Sequence, residues 1–226
     1  MKQQKLLMEK IDVQQLVIIG AGDVGKYIAY HFSSSPNFKV IGFLDDDKNK
    51  WGKKINNLPV LGDWTYFKKT NKVSVAIGIA NPISKKNIWN NIKDIEGLSF
   101  PNLIHPSCWI GENVSLGKGN IIYPGTTINY ETKIQDFVTI NMNCTIGHNC
   151  NISNFSTVSP GANLGGYTEI EESSFIGIGA NTIQSTKIGK KCIVGGGAMI
   201  IKDIPNGCTV VGNPGKIIKS INKNIE

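Results

Sequence analysis

The chain has no apolar run approaching the ~20 residues that a membrane-spanning helix requires, no Cys-x-x-Cys pair, and only three histidines among its 226 residues. The first absence argues against a membrane span. Met1 to Gln15 is charged and polar, and the apolar stretch after it runs straight into a glycine loop, so no signal peptide is expected and a cytoplasmic location follows. Five cysteines, an odd count without metal-ligand spacing, suggest neither a zinc site nor a disulfide framework. Lysine and arginine total 24 against 17 acidic residues, a net charge of +7. The lysines are interleaved with asparagine rather than gathered into an arm. That pattern suits a solvated surface with some preference for phosphate-bearing small molecules, and gives no support to a nucleic-acid partner. The length allows one large domain or two small ones.

What the chain does have is a period of six. Every sixth residue from Ile104 to Ile200 is a branched aliphatic, Thr182 excepted. Four places after each stands a small residue, from Cys108 to Ala198, with Asn120 and Ile204 breaking the row. Glycine recurs one place after the aliphatic, as at Gly111, Gly147, Gly165 and Gly177. Six fits neither the 3.6 of a helix nor the alternation of a half-buried strand. It fits a stacked solenoid in which each hexapeptide gives one short strand and one turn, the glycines supplying turn conformations. Three hexads per coil make between five and six coils. Their interior is filled by the two inward registers, so any chemistry lies outside, on corners or between neighbouring prisms. Cys108, Cys144, Cys150 and Cys192 fall in the small inward register, where a thiol is a small hydrophobe.

The period is missing from the first hundred residues, which sets residues 1–101 apart as a first domain and 102–226 as the solenoid with its C-terminal tail. Strands are expected at Leu16–Ile19, Lys39–Leu44, Val73–Ile77 and Leu98–Ile104, and helices at Lys26–Ser33 and Ser84–Ile95. This alternation makes a small Rossmann-like parallel sheet. Between the first strand and helix lies Gly20-Ala21-Gly22-Asp23-Val24-Gly25, with Asp45 and Asp46 ending the second strand. Gly20 and Gly22 would let backbone approach a diphosphate at a helix N-terminus, and the two carboxylates can accept hydrogen bonds from a ribose or base. The plain alternative is a tight strand-to-helix turn with no ligand. Taken alone the motif suggests NAD, but the domain is half the usual length and no dehydrogenase substrate domain follows.

Five stretches together span nearly the whole chain: Val17-Ile-Ile-Gly-Ala-Gly-Asp-Val-Gly-Lys26; Gly42-Phe-Leu-Asp-Asp46; Asn102-Leu-Ile-His-Pro106; Ile146-Gly-His-Asn-Cys150 with Ser159-Pro-Gly-Ala162; and Val211-Gly-Asn-Pro-Gly-Lys216. In these motifs and their order the chain resembles the bacterial sugar acyltransferase family that includes sialic acid O-acetyltransferases and the N-acetyltransferases of UDP- and dTDP-linked 4-amino-sugars. The resemblance implies a left-handed parallel β-helix, a homotrimer binding acetyl-CoA between adjacent subunits, and no metal. It implies that the first domain holds the sugar nucleotide through Gly20, Gly22, Asp23, Gly25, Asp45 and Asp46. His148 would be the general base, Asn149 its neighbour, and the N–H of Gly166 the donor to the thioester oxyanion. Thr157, Gly166, Ile178, Gly196 and Lys216 would contact acetyl-CoA, with Lys219 a second candidate for its phosphates. Gly165-Gly166, Gly177-Ile178-Gly179 and Gly195-Gly196-Gly197 would clear one wall for the pantetheine arm, although glycine is also needed simply for turning.

The residues themselves support His148. It lies two places after the inward Ile146, outside both core registers, and an imidazole suits general base work near neutral pH. An exposed histidine without a role is the competing reading. His31 is expected on the surface of the first helix, and His105 at the domain junction in a structural role or facing the sugar. Two positions depart from the family pattern. Asn149 stands where an acidic residue is common, and Thr157 where many members carry a second histidine. Three functions follow: N-acetylation of a UDP- or dTDP-linked 4-amino-deoxysugar in surface-glycan precursor synthesis, O-acetylation of a sugar or sialic acid, and a non-catalytic nucleotide-binding scaffold. Tyr123, Tyr130 and Phe155, outside the inward registers, are the expected trimer contacts.

Overall fold

The structure is a computed structural model that describes residues 13–70 and 72–220. In the first domain, β1 (Gln14–Ile19), α1 (Asp23–Phe32), β2 (Phe38–Leu44), a hairpin of β3 (Lys54–Ile55) and β4 (Leu58–Pro59), β5 (Val73–Ile77), α2 (Pro82–Ile92) and β6 (Leu98–Ser99) follow in order. The parallel sheet runs β2-β1-β5-β6. Alternate residues of β1 enter opposite cores: Leu16 and Ile18 pack with Ile28 and Phe32 of α1, and Val17 and Ile19 with Phe67 and Ile92. The strand is therefore apolar throughout, as a sheet covered on both faces demands.

Three of the differences from the expected boundaries have a clear local cause. Helix α1 begins at Asp23 rather than Lys26, because Gly22 already serves as N-cap and Asp23 suits the positive end of the helix dipole. Helix α2 begins at Pro82, where the missing N–H costs nothing, with the Asn81 side chain accepting from the Ser84 N–H at 3.0 Å. The expected strand Leu98–Ile104 is two strands. Leu98–Ser99 joins the parallel sheet and Leu103–Ile104 opens the solenoid, with Pro101 between them.

From Leu103 to Thr182 each two-residue strand pairs in parallel with the strand eighteen positions later, as Thr127-Ile128 does with Thr145-Ile146. The result is a three-faced prism. The first face runs through Leu103, Ile121, Thr139, Thr157, Phe175 and Ile193, the second through Trp109, Thr127, Thr145, Asn163, Asn181 and Met199, and the third through Ser115, Lys133, Asn151, Glu169 and Lys187. Inward aliphatics from Ile122 to Ile200 are buried, while Ile104, Ile110 and Leu116 in the first coil are only partly so. Thr182 fits the aliphatic row because its hydroxyl accepts from Gly165 N–H at 3.0 Å and meets Thr168 Oγ1 at 2.8 Å. Asn120 is wholly buried, its side-chain oxygen accepting from Val138 N–H at 2.8 Å. Burial also pushes the Cys144 and Cys150 thiols up to about 11, leaving them inert.

The glycines after each aliphatic do a different job from the one expected. Left-handed conformations fall two residues later, at Asn113, Glu131, Asn149, Tyr167 and Ser185 on one corner. Gly147 is needed because a Cβ there would lie 2.6 Å from Gly166 N, and Gly177 because one would lie 2.6 Å from Gly196 N. Close stacking of coils, not turning, keeps these positions bare.

The first domain lies on the first face. Ile121, Leu103 and Tyr123 join the core under α1, and Phe137 and Phe155 join the core under α2. Phe137 stacks on Phe155 and tilts against Trp89. Tyr123 and Phe155, expected between subunits, are thus buried within one chain; the sequence registers show only that they point out of the prism, not what covers them. Lys85 of α2 is fully buried here, its ammonium donating to Phe137 O at 3.0 Å and Thr139 Oγ1 at 2.8 Å. Burial lowers its pKa to about 7. His31, expected on the surface, is only partly exposed. Its ring is edge-on to Tyr27, Tyr123 and His105, and burial, then the nearby His105, lowers its pKa.

Candidate active site

His148 stands on the corner between the second and third faces, so its side chain projects outward where two faces meet. Its ring lies flat on Tyr130, centroids 5.3 Å apart and 8° between planes, with Tyr167 edge-on at 5.1 Å. Tyr130 is the residue one coil below His148, and Gly166 the residue one coil above. A Cβ on Gly166 would sit 2.7 Å from His148 Nε2, so glycine leaves the room the imidazole occupies. No hydrogen bond among the described residues takes up the Gly166 N–H. On its other edge, His148 Nδ1 lies 2.9 Å from Asn149 Oδ1, and Asn149 Nδ2 donates to Glu131 Oε2 at 2.6 Å. An imidazole with one nitrogen anchored and the other beside a free backbone N–H can take a proton from an acceptor while that N–H receives a developing oxyanion. Glu131 and Tyr167 escaped the sequence reading; stepping eighteen residues from Asn149 in either direction finds both.

The expected donor residues divide. Gly166 shares the His148 corner. Ile178 and Gly196 share the corner between the first and second faces, where Ile178 is 67% exposed and Gly196 stacks over it. The glycine clusters therefore do not form one wall: twelve residues separate Gly166 from Ile178, which is two hexads and so a different corner. Lys216 is exposed on Lys216–Ser220, a strand antiparallel to Cys208–Val211 at the end of the first face. Thr157 is corrected outright. It is 2% exposed beneath the first domain, donating to Ala80 O at 2.8 Å and accepting from Lys85, with no surface left for a donor.

In the glycine loop, Gly20 has φ +102°, and a Cβ on Gly25 would meet Gly20 O, so both are demanded by the fold. Gly22 is different: φ is −91° and nothing lies within 4 Å of a Cβ placed there. The fold itself therefore leaves room for a side chain at this position. The Asp23 side chain is 98% exposed and paired with Lys26 at 3.0 Å. Asp45 is taken up internally, accepting from Ala21 N–H at 2.9 Å, Lys50 Nζ at 3.0 Å and Asp47 N–H at 3.0 Å. Partial burial pushes its carboxyl up, but these bonds together hold it below its usual range. These bonds shape the loop, and Asp45 also lines a pocket beside Gly20 and Trp64. Asp46 is exposed and, with Gly20, Trp64, Ile79, Ile88 and Asn91, lines a pocket of about 180 Å³.

Among the described residues no helix is long and apolar enough to cross a membrane. No curated protein matches the chain. The PglD N-terminal domain family matches residues 15–92. The acetyltransferase domain of PglB from Neisseria gonorrhoeae FA1090 is 30% identical, with a TM-score of 0.83 over 91% of this chain and 100% of that one. PerB from Caulobacter crescentus, solved with CoA and GDP-perosamine, is 26% identical with a TM-score of 0.84 over 91% of this chain and 97% of that one. WeeI from Acinetobacter baumannii AYE is 29% identical with a TM-score of 0.80 over 90% and 99%. A parallel-sheet domain followed by the left-handed β-helix of the acetyltransferases is the fold they share with it. With that fold, these relatives and an imidazole poised at a bare corner, the chain belongs to the hexapeptide-repeat family of sugar N-acetyltransferases.

Proposed function

We propose that this enzyme moves the acetyl group of acetyl-CoA onto the 4-amine of a nucleotide-linked deoxysugar, in the cytoplasm and in the service of surface-glycan precursor synthesis. The carrying observation is the His148 ring held against Gly166. The sugar amine attacks the thioester carbonyl, Nε2 of His148 takes the amine proton, the Gly166 N–H steadies the oxyanion, and CoA leaves as the thiol. The nucleotide lies at Gly20, Gly22 and Asp46 beside Trp64. Amine transfer is favoured over hydroxyl transfer by the GDP-perosamine bound to PerB, and the test takes uridine-, thymidine- and guanosine-linked sugars together.

The active form is a homotrimer. The first domain covers the first face, whereas His148 stands at the corner opposite that face, so one chain holds its sugar pocket and its base on different sides of the prism. A neighbouring chain brings them together, and likewise sets its own Ile178 and Gly196 corner facing Gly166 to form the donor groove, with Lys216 toward the CoA phosphates. Thiol release from acetyl-CoA, followed with UDP-, dTDP- and GDP-linked 4-amino sugars and their 4-hydroxy counterparts, tests the reading. Release with an amino sugar alone is expected. Release only with the hydroxy sugars, or nucleotide binding without release, overturns it.

A further inference from the structure

Asn149 stands where a carboxylate would be expected beside the base, yet a carboxylate is present one coil away. Glu131 and Asn149 occupy the same corner position in successive coils, both left-handed with φ of 57° and 56°, so their side chains leave the backbone in parallel. The Asn149 amide bridges Glu131 Oε2 at 2.6 Å and His148 Nδ1 at 2.9 Å. Only one orientation of that amide works. Its oxygen cannot face an ionised carboxylate at that distance, so the NH2 group turns to Glu131 and the oxygen to the ring. An acceptor oxygen on Nδ1 requires Nδ1 to carry the proton, which leaves the lone pair on Nε2, the nitrogen beside Gly166. Without the carboxylate the amide is free to turn over, and a turned amide places the proton on Nε2, where it blocks base catalysis. None of the ion pairs among the described residues involves Glu131.

We propose that Glu131 is a positioning residue for acetyl transfer, holding His148 through the Asn149 amide in the tautomer whose Nε2 is unprotonated. This rests on His148 being the base. The relay keeps the negative charge two bonds of hydrogen away from the ring, so it sets proton location without placing an anion directly on the imidazole.

Three variants of the whole enzyme test it, with histidine-¹⁵N NMR and steady-state kinetics on each. Wild type should show neutral His148 as the single Nδ1–H form, its signals assigned by their loss in His148→Ala. Glu131→Gln should show both tautomers in exchange, with kcat lower by about 10–100-fold, the range for losing an orienting partner, and KM values within about two-fold. The double variant Glu131→Gln with Asn149→Asp exchanges carboxylate and amide. It should restore the single tautomer and bring kcat back to within a few-fold of wild type, while Asn149→Asp alone keeps an acceptor on Nδ1 and hence the same tautomer, but sets two carboxylates against each other and should not reach wild-type kcat. An unchanged tautomer in Glu131→Gln, or a kcat loss that the double variant fails to recover, overturns the proposal. The NMR measurement needs no substrate, so native kcat in His148→Ala would sink the assignment of the base and leave the Glu131 coupling separately judged.

Discussion

A methyl group on Gly166 would sit 2.7 Å from Nε2 of His148. That contact is too close for any side chain, so the coil above His148 must be bare for the ring to sit where it does. Gly166→Ala should fold normally, since no left-handed φ is required there, and should displace the ring. A displacement of about an ångström costs on the order of 10²-fold in kcat. Thermal melting unchanged alongside that loss is the expected pair of results; unchanged kcat would show that the ring position does not matter.

His148→Ala should lower kcat by about 10²–10⁴-fold, the range for a positioned base, with KM values little moved. His148→Asn should be nearly as damaging, because it keeps polarity but cannot take the proton. The deficit should shrink as pH rises and the acceptor amine loses its own proton to solvent. Rates measured across pH with the preferred amino sugar decide this.

The two ends of the site should complement across subunits. A sugar-pocket variant, Gly22→Val, should raise the KM for the nucleotide sugar and leave that for acetyl-CoA nearly untouched. Mixed and reassembled with His148→Ala, it should yield hybrid trimers that regain activity, since an intact pocket on one chain then meets an intact base on another. Light scattering that shows a monomer at micromolar concentration, or hybrids no more active than their parents, would remove the shared site.

Lys85 makes stability depend on pH. Its amine has an ordinary pKa of 10.5 in the unfolded chain and about 7 when buried under α2. Between those values the unfolded state binds more protons, so stability rises with pH through this window and is lost as pH falls toward 7. The melting temperature of wild type relative to Lys85→Met should therefore climb from pH 7 to pH 10. A difference that stays flat would show that the ammonium remains charged in its nest of oxygens.

Much of this was legible in the chain because the repeat leaves few choices. Ile146 and Cys150 fix which way His148 points, and Gly20 to Gly25 announce a strand-to-helix loop. What the sequence hid were relations set by stacking and by docking. Glu131 is remote from His148 in a linear reading and adjacent only after a full coil is counted. Thr157 and Phe155 point out of the prism like any surface residue, and nothing in the hexads reveals that α2 lies over them. Nor does the sequence show that Ala21 and Lys50 hold the Asp45 carboxylate at the edge of its pocket.

The solenoid also works as a counter. Six extra residues between His148 and Gly166 would keep every inward isoleucine inward and leave the core content, yet carry Gly166 round to another corner. Eighteen would return it to the right corner one storey too high, with another residue pressed against the imidazole. The hydrophobic pattern accepts any multiple of six, whereas the contact of His148 with Gly166 accepts no change at all. Insertions tolerated for folding are thus sorted by address alone, and the stretch from Tyr130 to Tyr167 is where that arithmetic is strictest.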